Sequence, residues 1–252
     1  VLTVNAVQLQ RTSTVTALDV SQGQSIVFSS GRACAVVDCG GRSTVEDPGD
    51  LAARKLLAQG HRSLDLLMLT HPHDDHVNGV LRLMHWLPVR TLVVPAAADT
   101  TKAPLSDILT LAAANHTTVV RVDAERTVTA GGISVHLYPE PCAGQEDGSM
   151  IVLTSIGDYD TLVPGDVDTT AEVKFLSSCT YPSVELLLVG HHGSKRSTSD
   201  AWLDAIAPDA AIISVGYNNY GHPTSDTLER LQAHNIPIYR TDQMGDITVH
   251  LS

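Results

Sequence analysis

Aromatic side chains make up only 4% of this 252-residue chain. Val, Leu, Ile and Ala must therefore fill its interior, the palette of β-strands covered by helices. Basic charge is also short: 16 Lys and Arg stand against 28 Asp and Glu, a net charge of −12. Such a chain lacks the broad basic face with which proteins neutralise nucleic-acid phosphates. An anionic substrate would have to be held by metal ions, which invert the local field, and by a few local cations. The four cysteines, Cys34, Cys39, Cys142 and Cys179, show no CxxC spacing, which excludes a zinc-finger framework. They read as buried small hydrophobes, with a Cys34–Cys39 disulfide as the alternative. No apolar run reaches the ~18 residues of a membrane-crossing helix, and no basic n-region opens the chain. The sequence starts at Val1 rather than Met, and so reads as a processed product or a piece excised from something larger.

Hydrophobic residues, at 43%, are ample for a large core, and the length suits one layered α/β domain over residues 1–252. Short β patterns come first, at Thr3–Leu9, Thr14–Val20, Ser25–Ser29 and Ala33–Asp38. Helical spacing follows over Asp50–Gln59, then a buried strand over Leu64–Thr70 and a helix over Asp75–Trp86. The alternation continues with strand Thr91–Val94, helix Pro104–Asn115 and strands near Thr118–Val122 and Ile133–Tyr138. The second half repeats the plan: strands Met150–Ile156 and Thr161–Pro164, helix Thr169–Leu176 and strand Val184–Val189. Helix Ser199–Ile206, strand Ala210–Val215, helix Thr224–Ala233 and two closing strands complete it. Two such halves packed sheet to sheet, with helices outside, predict a four-layer α/β/β/α sandwich. In open α/β sheets the site lies past the carboxyl ends of the strands.

One run stands at such a place: His71-Pro72-His73-Asp74-Asp75-His76, directly after strand 64–70. His71 and His73 are two apart in an extended segment, so both rings can converge on one ion. Asp75 and His76 open the next helix and point at a second position close by. Imidazoles with a carboxylate suit Zn²⁺ or another divalent first-row metal. Three His and two Asp in six residues rarely crowd without metal or catalysis.

H-x-H-x-D-H after a strand resembles the signature of the metallo-β-lactamase superfamily. Asp38, in Val36-Val37-Asp38-Cys39-Gly40-Gly41, resembles the family's buttress for the histidine loop. Asp166, in Leu162-Val163-Pro164-Gly165-Asp166, resembles its bridging carboxylate, and His191, in Gly190-His191-His192-Gly193-Ser194, its last metal ligand. Spacing leaves His191 and His192 open, with His191 preferred because it directly follows the strand. A narrower resemblance rests on Leu18–Ser25, Leu69–His76, His191–Lys195, Asn219-Tyr220-Gly221-His222-Pro223 and Tyr239–Asp242. It is to the C-terminal β-lactamase-like domain of the ComEC DNA-uptake (competence) proteins. Two departures stand out. Gln24 replaces the carboxylate of the family's V-G-Q-G-D loop, and Glu146-Asp147-Gly148-Ser149 stands where the family is Asn-rich and other members place a ligand histidine.

The resemblance implies a metal-dependent hydrolase, a phosphodiesterase or nuclease acting on single-stranded DNA during DNA uptake. It implies two divalent ions, Zn or Mn, sharing Asp166: one on His71 and His73, the other on Asp75, His76 and His191. The ions would acidify water from ~15.7 towards ~7. Asp75, His192 and His222 are the expected catalytic groups, with His222 as leaving-group proton donor or else a turn-stabilising residue. Ser194, Lys195 and Ser149 are the expected substrate contacts, although Ser194–Ser199 also reads as a helix-capping loop. The resemblance further implies a bacterial protein, attached on the outer face of the cytoplasmic membrane through a channel domain of the same parent, with no lipid binding of its own. The alternatives are a small-molecule lactone, lactam or thioester hydrolase, and a metal-binding module without catalysis.

Overall fold

A computed structural model describes residues 12–42, 46–139 and 149–251. The strand expected over Thr3–Leu9, and residues Cys142 and Glu146–Gly148, lie outside them. The first half runs β1 (Ser13–Ala17), β2 (Gly23–Ser30), β3 (Ala33–Gly41), α1 (Pro48–Ala58), β4 (Leu64–Met68), α2 (Asp74–Val77), α3 (Val80–Trp86), β5 (Val89–Pro95), α4 (Leu105–Ala114) and β6 (Thr118–Val122). The second half opens with β7 (Arg126–Ala130), β8 (Ile133–Tyr138), β9 (Ile151–Ile156), β10 (Tyr159–Val163), α5 (Thr169–Ser178) and β11 (Leu186–Leu188). A 3₁₀ turn over Gly190–Gly193 follows, then α6 (Asp200–Ile206), β12 (Ala210–Ile213), α7 (Ser225–Ala233), β13 (Ile238–Arg240), α8 (Thr241–Met244) and β14 (Ile247–Leu251).

The strands form two seven-stranded sheets, ordered β14-β1-β2-β3-β4-β5-β6 and β13-β12-β11-β10-β9-β8-β7. Each joins an antiparallel flank to a parallel run, β3 to β6 in one and β10 to β13 in the other. Period-two alternation sorts the apolar side chains between layers. Ile26, Phe28, Val37, Leu66, Met68 and Val93 meet Val135, Leu137, Val152, Leu186 and Ile212 between the sheets. Val27, Val36, Leu67 and Leu92 instead pack outward under Leu56, Leu83 and Ile108 of α1, α3 and α4. On the opposite outer face Leu162, Leu187 and Ile213 lie under Phe175, Trp202 and Leu231 of α5, α6 and α7. The result is the four-layer αββα sandwich expected from the pattern. Asp47, Asp168, Ser199 and Thr224 cap α1, α5, α6 and α7, each side chain accepting from an otherwise orphaned N–H.

Four expectations change. The helix expected over 75–86 is broken at Asn78 and Gly79, because Gly79 N donates to Cys39 O across the sheet edge at 2.8 Å. The strand expected to reach Thr70 stops at Met68, since Leu69 and Thr70 turn into the histidine run. Of the two closing strands only β13 completes the second sheet; β14 crosses back to pair with β1. Cys34 and Cys39 are buried and not bonded to each other, so the disulfide alternative gives way to the packing role.

Candidate metal centre

The residues singled out leave their strands at one end of the sandwich. Asp38, near the end of β3, is fully buried and lies in the left-handed region (φ 57°), which Asp tolerates better than most residues. One carboxylate oxygen accepts from Thr70 N and the other from Thr70 Oγ1 and Gln24 Nε2, all at 2.7 Å. His76 Nδ1 lies 2.7 Å from the same oxygen as the last two. The carboxylate therefore fixes the proton on Nδ1 and turns Nε2 away towards the centre, the pairing that orients metal-binding histidines. The Gln24 amide donates to Asp38, so the departure at position 24 puts a neutral donor where the family's loop carries a carboxylate.

From β4 the chain carries His71, fully buried, with Nδ1 3.1 Å from Thr70 Oγ1 and Nε2 3.1 Å from His73 Nδ1. The single turn of α2 then presents Asp75 and His76. It lies so close to β3 that a Cβ on Gly40 would come within 2.5 Å of His76 N, so only glycine fits there. From the second half, the turn after β10 brings in Asp166. Its Oδ1 is 3.2 Å from His76 Nε2, and its Oδ2 is 3.6 Å from His71 Nε2 and 3.5 Å from His191 Nε2. The 3₁₀ turn after β11 holds His191 and His192 both at positive φ (50° and 54°), so the adjacent rings diverge.

That divergence separates their roles. His192 is buried, its Nδ1 donating to Ser214 O at 2.9 Å, which leaves Nε2 facing Asp75 Oδ2 at 3.7 Å. His191 is 41% exposed on the rim, its ring 5.6 Å from that of His222. Two groups of potential ligand atoms result, His71–His76–Asp166 and Asp75–His76–His192, each within 4.8 Å. Spacing preferred His191 as the ligand; the structure groups His192 with Asp75 and sets His191 beside Asp166 Oδ2 at the rim. His73 stands beside His71 rather than within either group.

Among the described residues, three buried atoms at this point find no hydrogen bond of good geometry: His76 Nε2 and Asp166 Oδ1, which face each other as an ion pair at 3.2 Å, and His192 Nε2. Buried polar atoms are nearly always satisfied, and an imidazole–carboxylate set of this kind suits a divalent ion. Burial holds His71 and His192 below the usual imidazole range, favouring the neutral form a metal requires. Burial opposes charge on His76 too, but Asp166 and Asp38 outweigh it and hold this ring well above that range. Asp166 mirrors this: burial pushes it up, yet His76 brings it well below the carboxylate range. Burial, aided by His191 and His192, also lowers His222.

The cluster opens on a surface cleft of about 490 Å³, which His73, Asp75, Asp166, His191, His192 and His222 line together with Gln22, Arg42, Pro72, Asp74, Ala103, Pro104 and Tyr220. The three expected substrate contacts do not line it. Ser194 is buried with its carbonyl accepting from Thr227 Oγ1, Lys195 points to solvent, and Ser149 is buried beside Met150, whose N–H donates to Thr70 O. The 194–199 loop is held down instead: Arg230 Nη1 donates to Ser197 O and Thr198 O, and Glu172 accepts from Thr198 N and Ser199 N. Its helix-capping reading is the one observed, at Ser199. Arg42 and Tyr220 are cleft residues the sequence reasoning passed over. Tyr220 sat inside a quoted motif, whereas Arg42 had no local signal.

The family model described as metallo-beta-lactamase superfamily matches residues 18–217. The chain belongs to this superfamily. Most of its members are metal-dependent hydrolases. Among curated relatives, the ComE operon protein 3 of Bacillus subtilis is 28% identical over 91% of this chain and 32% of its own length. The competence protein ComA of Neisseria gonorrhoeae is 30% identical over 92% of this chain and 31% of its own. The chain thus spans about a third of the length of these relatives. A solved structure, the Zn²⁺-bound PqqB of Methylobacterium extorquens, superposes with a TM-score of 0.62 at 16% identity, covering 94% of this chain and all of that one. At that identity the likeness shows the superfamily fold. The superfamily and competence-protein resemblances read from the sequence therefore hold, as does the fold. Among the described residues, no helix is long and apolar enough to cross a membrane.

Proposed function

We propose that this superfamily hydrolase is a phosphodiesterase that cuts single-stranded DNA during DNA uptake. The observation that carries the reading is the meeting of two ligand groups of buried imidazole and carboxylate atoms at the floor of a surface cleft. His76 belongs to both groups but its Nε2 has one lone pair, so it would serve one ion, and Asp166, with two oxygens, could serve both. His71 and Asp166 would hold one divalent ion, with His73, whose Nδ1 is 3.1 Å from His71 Nε2, near enough to join them; Asp75, His76, His192 and Asp166 would hold the other, Zn or Mn. When bound, such ions acidify water and neutralise charge on a phosphodiester. Asp38 fixes the His76 tautomer, and Ser214 O does the same for His192. Asp75 and Asp166 orient the attacking water, while His222 and His191 stand on the rim where a proton can pass to the leaving oxygen.

The competence-related names of the relatives support DNA uptake as the setting. Their threefold greater length supports delivery of the strand by a membrane channel domain of the same parent, on the outer face of the bacterial cytoplasmic membrane. The test is cleavage of a labelled single strand in Mn²⁺ or Zn²⁺. Asp75→Ala, His73→Ala and His192→Ala are each expected to abolish it while far-UV circular dichroism stays unchanged. Metal-loaded protein that leaves both DNA and bis-nitrophenyl phosphate intact would sink the reading.

A further inference from the structure

Gln22 is buried and organises two cleft residues that the metal chemistry leaves unused. Its carbonyl accepts from Arg42 N at 2.9 Å, and its side-chain oxygen lies 3.5 Å from Gly216 N. Gly216 opens the loop that carries Tyr220, and it touches the Ser21 backbone so closely that an added Cβ would come within 2.4 Å. The loop is rigid by construction. Asn218 Oδ1 accepts from Tyr220 N and His222 N at 3.0 Å, and Asn218 Nδ2 donates to Gly216 O and His222 O at 2.8 Å. Tyr220 is thereby held out at the rim, 57% exposed, with its ring 5.8 Å from that of His222. The Arg42 guanidinium lies over the Tyr220 ring, 5.6 Å from its centroid.

Tyr217 on the same loop is more exposed still, but among the described residues Tyr220 is the only tyrosine, and Arg42 the only lysine or arginine, that lines the cleft. Asp74, Asp75 and Asp166 line it too, so this rim is where an anionic chain gains positive charge from the protein itself. An aromatic ring beside a guanidinium is how single strands are held without sequence choice: the ring stacks a base and the cation meets the backbone.

We propose that Tyr220 and Arg42 form a nucleotide clamp at the mouth of the cleft, Tyr220 stacking the base next to the scissile phosphodiester and Arg42 engaging the adjoining phosphate. This rests on the single-strand phosphodiesterase reading and adds what the site selects: a strand that still carries its bases. Binding of a base displaces the guanidinium from the ring, exchanging a cation–π contact for charge-assisted hydrogen bonds to phosphate.

The experiment compares a fluorescein-labelled thymidine 12-mer with an all-abasic 12-mer of the same backbone. Binding is read by fluorescence anisotropy without added divalent ion, and hydrolysis with Mn²⁺. The intact strand is expected to bind about tenfold more tightly than the abasic one. Tyr220→Ala should remove that preference, and Tyr220→Phe should keep it. Arg42→Ala should weaken both strands alike and reduce the salt dependence by about one phosphate contact. Equal binding of the two strands by the unaltered protein, or a Tyr220→Ala loss that is the same for both, overturns the clamp. Retained base preference without cleavage of either strand upholds the clamp and overturns the nuclease reading.

Discussion

At the residue scale, Asp38 shows how much of the centre is built behind the ligands. It touches Thr70, Gln24 and His76 but faces away from the cleft. Asparagine is nearly isosteric and also tolerates positive φ, so Asp38→Asn should keep the backbone and lose the charge that fixes the His76 ring. Such partners typically govern metal affinity by 10–100-fold, a loss that competition with a chromophoric chelator would measure. An unchanged affinity would mean that His76 is oriented by packing alone. The sequence showed the histidine run because its chemistry is local and clustered, and Asp38 only through the family resemblance, since its partners Thr70 and His76 lie 32 and 38 positions on. It could not resolve His191 from His192, because the choice lies in two left-handed residues and in a hydrogen bond to Ser214, 22 positions away. Gln24 and Arg42 were hidden for the same reason: their partners Asp38 and Tyr220 come from other segments.

At the scale of elements, β7 and α8 were not expected, but most strands and helices followed from period and capping, since each is set by neighbours in sequence. The split of α2 from α3 did not, because it answers to Cys39 in a neighbouring strand. The loop ahead of α6 likewise looked like a substrate loop by composition, yet Glu172 in α5 binds it from beneath. Burial raises the Glu172 carboxyl despite its donors, so the charge is held at a cost, by the Ser199 hydroxyl first and by those two N–H groups next. Glu172→Ala leaves both orphaned, and each buried unsatisfied donor costs on the order of 1–3 kcal/mol. Urea unfolding should show a loss of about 2–4 kcal/mol, with Glu172→Gln losing less because one acceptor remains. Because the folded-state value lies above the unfolded one, the unfavourable charge is present at neutral pH and is relieved as pH falls through the folded-state value.

At the scale of the molecule, the ligand set is divided between the halves: His71 to His76 come from the first, Asp166 and His192 from the second. An ion bound there ties sheet to sheet. Binding at a hundredfold excess over its dissociation constant stabilises by ~2.7 kcal/mol per site, which for a chain of this size amounts to roughly 5–10 °C in melting temperature. Chelator treatment should therefore lower the calorimetric midpoint, and Mn²⁺ or Zn²⁺ should restore it. A midpoint indifferent to both would remove the metal from the account of this centre.

The return of β14 to β1 has a consequence in time. Ser13 lies opposite Leu251, and Ala17 opposite Ile247, so the edge of the first sheet stays unpaired until more than two hundred later residues have been synthesised. Contacts this distant in sequence form slowly, and through that interval β1 presents a bare row of backbone donors and acceptors to any strand that passes. A chain truncated before Ile247 should keep that edge permanently, and light scattering on refolding should show it associating where the longer chain does not. Among the described strands, the last in sequence thus seals the first.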